Sequence, residues 1–407
     1  MRLSILLAST ALLAGACSGS DDAPAMGGAD AGDTETASEG DESGPASAAN
    51  ALTSEDGFTL TPVASGLSVP WDMVFLPGGD ILVTERSGAI RVIRDGELLP
   101  APVAGTPEAL VEGQGGYFAM ALDPDFASNR TLYLAFAKGE SGDNKTTVVK
   151  GVLSDDASEL TDVAEIFAGT SRETTYHFGG RLAFLPDGTL IVTMGEGFRY
   201  MDEAQNPMNY HGTIARINSD GSIPEDNPFA DGADGAPAVW TYGHRNVQGL
   251  VYDAGRDILW AHEHGPKGGD ELNIIEPANN YGWPRITYGV NYDGTIITEE
   301  TEAEGMEQPV VKWVPSIAPS GMALVSGDVW ADWDGDLIVG GMNGPKGKKL
   351  VHIELDEGGG LIGTEDLLAD LDLPYRDVAI SPDGQLFIAT AEAEGTIYEV
   401  TRTEAPE

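Results

Sequence analysis

One theme recurs along the chain and limits what it can fold into: a short apolar strand, a Pro-Asp-Gly type of turn, and a second strand rich in β-branched residues. Short alternating runs bounded by Gly, Pro, Asn and Asp are typical of β-strands. No long segment has helical period, so the chain is predicted to be all-β. The six copies are Trp71–Thr84, Phe118–Phe136, Gly180–Thr193, Gly249–His262, Gly321–Val339 and Arg376–Thr390.

Six copies, spaced by roughly 45–75 residues, predict a six-bladed β-propeller over residues 58–403, with a short tail at 404–407. The strand at Phe58–Thr61 and the strand at Thr396–Val400 are expected to share one blade and close the ring. A pair of β-sandwiches is the alternative, but it does not explain the even spacing. Two stretches without the pattern, Tyr200–Tyr210 and Pro224–Ala238, are expected to form loops over the mouth of the ring.

The N-terminal sequence predicts an export signal. Residues 1–16 combine a basic start, the apolar run Leu3–Leu13 and a small-residue end, which is typical of a signal peptide. The only cysteine, Cys17, follows directly and is expected to be acylated, as in a bacterial lipoprotein. Ordinary cleavage to a soluble periplasmic protein is the alternative. The segment 17–57 has almost no large apolar residues and no Lys or Arg, so it predicts a disordered acidic linker.

Charge excludes one class of partner. The chain has 22 Lys and Arg against 66 Asp and Glu, a net charge of −44. Binding to nucleic acid needs a basic face, so no nucleic-acid function is expected, and membrane contact is expected only through Cys17. In so acidic a protein, a cation kept in a cavity is expected to hold an anion.

The stretch Trp240–Pro284 is the richest in chemistry. Arg245 and Asn246 stand between two glycines at a predicted strand end, where side chains often carry function. Farther on, the Gly- and Pro-rich run Glu263–Glu271 would expose backbone carbonyls that suit a hard cation such as Ca2+. The competing interpretation is a set of ordinary hairpin turns with solvated charges.

Several runs resemble the soluble glucose/sorbosone dehydrogenase family, and within it the aldose sugar dehydrogenases that depend on pyrroloquinoline quinone (PQQ). The resemblance extends from Phe58 to Thr403. It implies a six-bladed propeller that holds PQQ over Ca2+, oxidises the C1 hydroxyl of an aldose to a lactone, and passes electrons to a periplasmic acceptor or dye. The runs are YHFGGRLAFLPDGTL, YGHRNVQGLVYD, EHGPKGGDELNIIEPANNYGWP, PSIAPSGMAL and YRDVAISPDG.

The resemblance also implies roles for individual residues. His177 is the general base, which agrees with the chemistry of a neutral imidazole, and Glu196 orients it. The others contact the cofactor, the substrate or Ca2+: Arg245 and Asn246 at the quinone oxygens, Lys346 and Arg376 at the carboxylates, Gln114 and Gln205 along cofactor and substrate, the carbonyls of Gly265 and Pro266 at one Ca2+, and Glu271 with the carbonyl of Tyr281 at a second.

Two positions depart from the family pattern. Tyr176 stands where the glucose-specific branch has Asp, so glucose specificity is not implied. Pro374 stands where the family can place a second Arg. Two other functions are possible for such a fold: a Ca2+-dependent lactonase or esterase, and a non-catalytic binding propeller. The cationic set argues against the first, because those enzymes bind Ca2+ with inward carboxylate and Asn side chains.

Overall fold

The computed structural model describes residues 50–343 and 347–403. The predicted signal peptide, Cys17, most of the acidic linker, Lys346 and the tail at 404–407 lie outside these residues. Within them, no helix has the length and apolar character needed to cross a membrane.

The described residues form strands joined by turns, with one short α-helix, α1 (Phe126–Asn129), and three 3₁₀ helices, Met201–Gln205, Asp328–Trp330 and Ala369–Leu371. The strands are β1 (Leu52–Thr53), β2 (Phe58–Leu67), β3 (Pro70–Phe75), β4 (Ile81–Glu85), β5 (Ala89–Arg94), β6 (Glu97–Leu98), β7 (Tyr117–Leu122), β8 (Thr131–Glu140), β9 (Asp143–Leu153), β10 (Leu160–Ala168), β11 (Leu182–Phe184), β12 (Thr189–Met194), β13 (Thr213–Asn218), β14 (Val239–Tyr242), β15 (Val247–Asp253), β16 (Ile258–Glu263), β17 (Asp270–Ile274), β18 (Val311–Trp313), β19 (Pro319–Leu324), β20 (Leu337–Gly341), β21 (Lys349–Leu355), β22 (Leu361–Leu367), β23 (Tyr375–Ile380), β24 (Leu386–Thr390) and β25 (Gly395–Arg402).

These strands make six antiparallel sheets, which confirms the six-bladed propeller. Blades 1 to 5 are β3–β6, β7–β10, β11–β14, β15–β18 and β19–β22, and blade 6 has the order β1-β2-β25-β24-β23. The first strand of each blade contacts the first strands of its neighbours around the axis. Each predicted copy of the repeat supplies the two innermost strands of one blade. Apolar residues of adjacent blades pack between the sheets, so both faces of each blade are covered.

The ring closes as predicted, through β2 and β25. Phe58 lies opposite Arg402 and Leu60 opposite Val400 in this pair. The predicted end of the acidic linker at residue 57 is too late, however, because the propeller already begins at β1. Strand β1 pairs with β2, the Ser54 hydroxyl donates to Asp370 at 2.5 Å, and Asp56 accepts the backbone N–H of Leu368 at 2.6 Å. Short polar side chains at this point have partners in blades 5 and 6, so these residues belong to the propeller.

A cluster of buried ion pairs lies among the innermost strands, at the axis of the ring. Nη1 of Arg181 lies 2.6 Å from Asp72 and 3.0 Å from Asp377, while its Nε donates to the carbonyl of Gln248 at 2.7 Å. All three charged side chains are buried, and the guanidinium lies 4.3 Å from the ring centre of Trp71. The cluster therefore joins blades 1, 4 and 6 to the loop that enters blade 3.

The same end of the ring carries most of the irregular backbone. The inner strands of five blades have a β-bulge where they begin, at Pro70/Asp72, Tyr117/Met120, Val247/Gly249, Pro319/Met322 and Tyr375/Asp377. A bulge adds one residue and redirects the side chains around it, and bulges are common beside functional sites. We call this end the mouth; His177 precedes β11 there and Glu196 follows β12.

The two long loops differ in position. Tyr200–Tyr210 joins β12 to β13 at the mouth, as expected. The prediction for Pro224–Ala238 is wrong at its start: Asp226 pairs with Arg216 at 2.8 Å, and Arg216 also pairs with Asp187 in the turn between β11 and β12. That turn lies at the opposite end of blade 3, so the two ion pairs hold the start of this loop away from the mouth.

Candidate active site

A buried histidine and a buried carboxylate form the centre of the site. Nδ1 of His177 lies 3.0 Å from Oε1 of Glu196, and the two residues are 4% and 1% exposed. They come from the two loops that flank blade 3 at the mouth. A carboxylate on Nδ1 fixes the ring orientation and leaves Nε2 as the nitrogen that can accept a proton.

The backbone around His177 is held in an unusual conformation. Its φ is +51°, a left-handed value that is uncommon outside glycine. The backbone N–H donates to Oε1 of Gln114 at 2.9 Å, and Nη1 of Arg172 donates to its carbonyl at 2.5 Å. A Cβ on Gly195 would lie 2.2 Å from that carbonyl, so only glycine allows the two loops to approach this closely.

Burial, more than the local charges, keeps the base neutral. Burial lowers the pKa of His177; Glu196 opposes that shift, whereas Arg245 and Arg172 add to it. Burial disfavours ionisation of Glu196, but His177, Arg245 and the N–H of Phe198 outweigh it and lower the pKa of Glu196. The site therefore pairs a neutral imidazole with an ionised carboxylate.

Arg245 contacts Glu196 of this pair, and Asn246 contacts the backbone two residues after His177. The carbonyl of Arg245 accepts the backbone N–H of Glu196 at 2.9 Å, and Oδ1 of Asn246 accepts the N–H of Gly179 at 3.1 Å. Nη1 of Arg245 donates to the carbonyls of Gly265 at 2.6 Å and His264 at 3.1 Å. The predicted quinone-binding residues and the predicted Ca2+-binding turn are thus in direct contact.

A buried aspartate shapes that turn. Asp270 accepts hydrogen bonds from the N–H of Gly265 at 2.9 Å, the hydroxyl of Ser316 at 2.7 Å and the N–H of Ile317 at 2.9 Å. Burial raises its pKa to about 6, against the effect of these donors. Asp270 is committed to the turn that presents Gly265 and Pro266, and it was not singled out from the sequence.

A cavity of about 10 Å³ lies next to the turn, room for one water molecule or ion. Its wall includes Glu263, Glu271 and Tyr281. Burial, followed by repulsion from Glu263, raises the pKa of Glu271 to about 8. A cation would relieve that repulsion. Residues 50–343 and 347–403 contain no group of three His, Cys, Asp or Glu side chains placed to hold a metal, so an ion here would need carbonyl oxygens as well.

The remaining predicted residues take different places. The amide of Gln205 forms a reciprocal pair with Asn280, at 2.9 Å in both directions, and donates to the carbonyl of Trp283 at 2.8 Å, so it joins two mouth loops. Arg376 begins blade 6 at the mouth, and its charge helps to lower the pKa of His264 to about 3, after burial as the main cause. Lys346 lies outside the described residues.

Besides Asp270, two site residues were assigned no role of their own by the sequence analysis. Arg172 holds the carbonyl of His177, and Glu263 accepts the N–H of Arg245 and lies 2.8 Å from Nδ1 of His244. Neither stands in a distinctive motif around itself. The signal for Glu263 was its place at a predicted strand end, directly before the Gly-rich turn.

Comparison with known proteins gives a consistent result. The family model described as Glucose / Sorbosone dehydrogenase matches residues 67–399. The chain is 38% identical to the Aldose sugar dehydrogenase YliI of Escherichia coli over 342 residues, covering 82% of this chain and 90% of that protein.

Comparison with solved structures gives the same result as comparison of sequences. The apo-form of the soluble aldose sugar dehydrogenase from Escherichia coli superposes with a TM-score of 0.81 at 36% identity, covering 85% of this chain and 99% of that one. The PQQ-bound form of aldose sugar dehydrogenase from Streptomyces coelicolor superposes with a TM-score of 0.68 at 29% identity, covering 84% and 98%.

Proposed function

Since this chain belongs to the glucose/sorbosone dehydrogenase family, we propose that it oxidises the C1 hydroxyl of aldose sugars to lactones, with PQQ and Ca2+ as cofactors. The observation that carries the proposal is the buried His177–Glu196 pair, in which Glu196 contacts Arg245. Asn246 contacts Gly179, two residues after His177. The electrons then pass to an external acceptor in the periplasm.

The residues present suit these cofactors. PQQ is an anionic ortho-quinone, and Arg245, Asn246 and Gln114 supply cationic and amide groups around the base. Arg376 adds a further positive charge, which acts on His264. The carbonyls of Gly265 and Pro266 suit Ca2+, and a second Ca2+ suits the ion-sized cavity walled by Glu263, Glu271 and Tyr281. These sets would hold the cofactor and its cations.

The chain's own residues provide the proton chemistry. Nε2 of His177 takes the proton of the C1 hydroxyl, and Glu196 stabilises the imidazolium that forms. Bound PQQ supplies the group that accepts hydride from C1. Arg245 places a positive charge where negative charge develops, and Glu263 holds its backbone N–H.

Reconstitution tests the proposal. Protein purified from a host without PQQ is expected to be inactive, and to gain dye-linked oxidation of aldoses when PQQ and Ca2+ are added together. Cofactor at a hundredfold excess over its dissociation constant should also stabilise the fold by about 2.7 kcal/mol. The measurements are dye reduction and thermal unfolding. Activity with NAD or a flavin alone, hydrolysis of lactones without oxidation, or no response to PQQ would each contradict it.

We further propose that the chain is exported and anchored through an acylated Cys17. The support is the signal-like segment 1–16, the single cysteine after it and the acidic segment behind it. Labelling cells with a fatty-acid analogue is expected to tag the wild type and not Cys17→Ser, with both retaining dehydrogenase activity. An unlabelled, soluble wild type in the periplasm would indicate ordinary signal cleavage.

A further inference from the structure

Arg172 is a buried cation at the mouth to which the proposed reaction assigns no step. It is 3% exposed and follows β10, and its backbone pairs with Asn144 of β9 in both directions, at 2.8 Å and 3.0 Å. The main chain of Arg172 is therefore fixed to blade 2. No acid within residues 50–343 and 347–403 forms an ion pair with its guanidinium.

The guanidinium instead spans the two loops that carry the base and its carboxylate. Nη1 donates to the carbonyl of His177 at 2.5 Å and lies 3.4 Å from the carbonyl of Gly195, the residue before Glu196. Nη2 donates to the hydroxyl of Thr146 at 3.0 Å. One side chain anchored in blade 2 thus contacts the main chain on both sides of the catalytic pair.

The backbone of His177 needs such support. A residue with a Cβ is strained at a φ of +51°, and it keeps that conformation only where the contacts around it leave no alternative. Gln114 holds the N–H of this residue, and Arg172 holds its carbonyl with a charged donor, which binds more strongly than a neutral one. Relaxation to a negative φ would redirect the Cα–Cβ bond and carry Nδ1 away from Glu196.

Packing alone does not explain an arginine at this position. Burial lowers the pKa of Arg172 to about 10, and the charge of Glu196 opposes that shift. The guanidinium carbon lies 4.7 Å from the ring centre of Phe178, where an apolar side chain of the same length would pack without losing hydration of a charge. The carbonyl oxygens that it binds account for the cation.

We propose that Arg172 is a positioning residue for the oxidation: it holds the peptide of His177 in the left-handed conformation that keeps Nδ1 on Glu196 and leaves Nε2 to the sugar. The inference rests on the proposed role of His177 as the base. Arg172 itself touches neither sugar nor cofactor, so its loss should slow proton transfer and leave the binding of both intact.

Steady-state kinetics test this role. Arg172→Met keeps the length of the side chain and removes its charge and donors. It is expected to lower kcat by about 10- to 100-fold, the cost of a group misplaced by about 1 Å, with KM for the aldose and the dissociation constant of PQQ within about threefold of wild type. Arg172→Lys restores the charge and one donor, and its kcat should be at least about fivefold above that of Arg172→Met.

Arg216→Met is the matched control. Arg216 is also buried, and its guanidinium carbon lies 4.8 Å from the ring centre of Trp240, but it is at the opposite end of blade 3 from the mouth. This variant should lower Tm as Arg172→Met does and leave kcat and KM as in wild type. An equal loss of kcat in both variants would assign the effect to general destabilisation and overturn the inference.

Nitrogen NMR of the cofactor-free protein separates this inference from the oxidation itself. With 15N-labelled histidine, the signals that vanish in His177→Ala identify the ring of the base. Wild type should show one neutral tautomer with its proton on Nδ1, where Glu196 accepts it, and Arg172→Met should show exchange between both tautomers. Arg172→Lys and Arg216→Met should stay close to wild type. If no aldose is oxidised but these spectra hold, the proposed function fails and the positioning role stands.

Thr146→Val keeps the test decisive if Arg172→Met does not fold. It keeps the shape of the side chain and removes the hydroxyl that accepts from Nη2 and donates to the carbonyl of Phe178 at 2.6 Å. It should lower kcat by about 3- to 10-fold, the worth of a neutral hydrogen bond, without changing KM. Wild-type kcat with wild-type His177 signals in Arg172→Met, or in Thr146→Val where the former does not fold, would overturn the inference.

Discussion

His177→Ala is expected to lower turnover by about 10²- to 10⁴-fold while leaving the affinity for PQQ close to that of wild type. The imidazole is held by Glu196 through Nδ1, so Nε2 is available to the sugar hydroxyl and not needed by the cofactor. Removing the side chain deletes the proton acceptor and leaves the donors around the cofactor in place. The measurement is a PQQ titration together with kcat at saturating cofactor and sugar.

The pH profile should identify the base. Burial, assisted by the charges of Arg245 and Arg172, lowers the pKa of His177 below its ordinary 6.5. The neutral, active form therefore persists to lower pH, and the acid limb of kcat should fall below 6.5. The residual activity of His177→Ala should lack this limb. An acid limb unchanged in the mutant would assign the titration to another group.

Arg245→Ala is the matched comparison, because Arg245 lies on the neighbouring loop and its charge faces the same site. It should weaken PQQ binding by about 10- to 100-fold, the usual worth of a hydrogen bond to a charged group, and lower turnover as well. A His177→Ala enzyme with wild-type turnover would remove the role assigned to the base. Loss of PQQ binding in His177→Ala but not in Arg245→Ala would reverse the two roles.

The second large effect concerns the ion cluster on the axis. Arg181→Met is expected to lower the free energy of unfolding by about 3–5 kcal/mol, because it leaves Asp72 and Asp377 buried side by side without their cation. Lys138→Met is the control: Lys138 lies 2.6 Å from Glu165, but the two side chains are 49% and 39% exposed, so its loss should cost about 1 kcal/mol or less. Denaturant unfolding of both variants against wild type measures the difference. Equal effects would show that the cluster adds nothing beyond a surface pair.

The cluster also predicts a dependence on pH. Burial, followed by repulsion from Asp377, raises the pKa of Asp72 to about 8, and the pKa of Asp377 is raised by burial too. An acid whose pKa is raised in the fold stabilises it fully below the ordinary value of 3.8 and loses that contribution as the pH rises through about 8. Wild type should therefore lose stability as the pH rises from about 4 to about 8, and Asp72→Asn, which resembles the protonated carboxyl, should flatten that slope. An identical slope in Asp72→Asn would assign the loss to other groups.

The sequence predicted the architecture because the propeller is repetitive. Each copy of the repeat encodes the two innermost strands of a blade, so six local patterns were enough for the fold and for the closure by β2 and β25. The position of Pro224–Ala238 was missed because an ion pair between Asp226 and Arg216 decides it. Such a pair depends on which end of a blade a loop joins, and no local pattern records that.

The candidate site likewise contains residues that the sequence could predict and residues that it could not. His177, Glu196, Arg245 and Asn246 stand in short motifs at strand ends, and the fold brings them together. Partners from elsewhere in the chain, such as Arg172 on the carbonyl of His177 or Asp270 under the Gly265 turn, have no comparable signal. Gln205 illustrates the converse, since the resemblance assigned it to the cofactor and substrate but its amide is bonded to Asn280 and Trp283.

The pairing of β2 with β25, in which Phe58 lies opposite Arg402, determines when blade 6 can assemble during synthesis of the chain. Strand β2 leaves the ribosome before the strands of blades 1 to 5 and its partner β25 leaves after them, so blade 6 cannot assemble until those five blades have been synthesised. Contacts this distant in sequence form slowly, because a long loop must close before they contribute. Until then β2 presents an unpaired edge, which is a target for non-native association. Loss of β25 alone would therefore prevent closure of the ring. The time between synthesis of β2 and synthesis of β25 sets how long the nascent chain depends on chaperones.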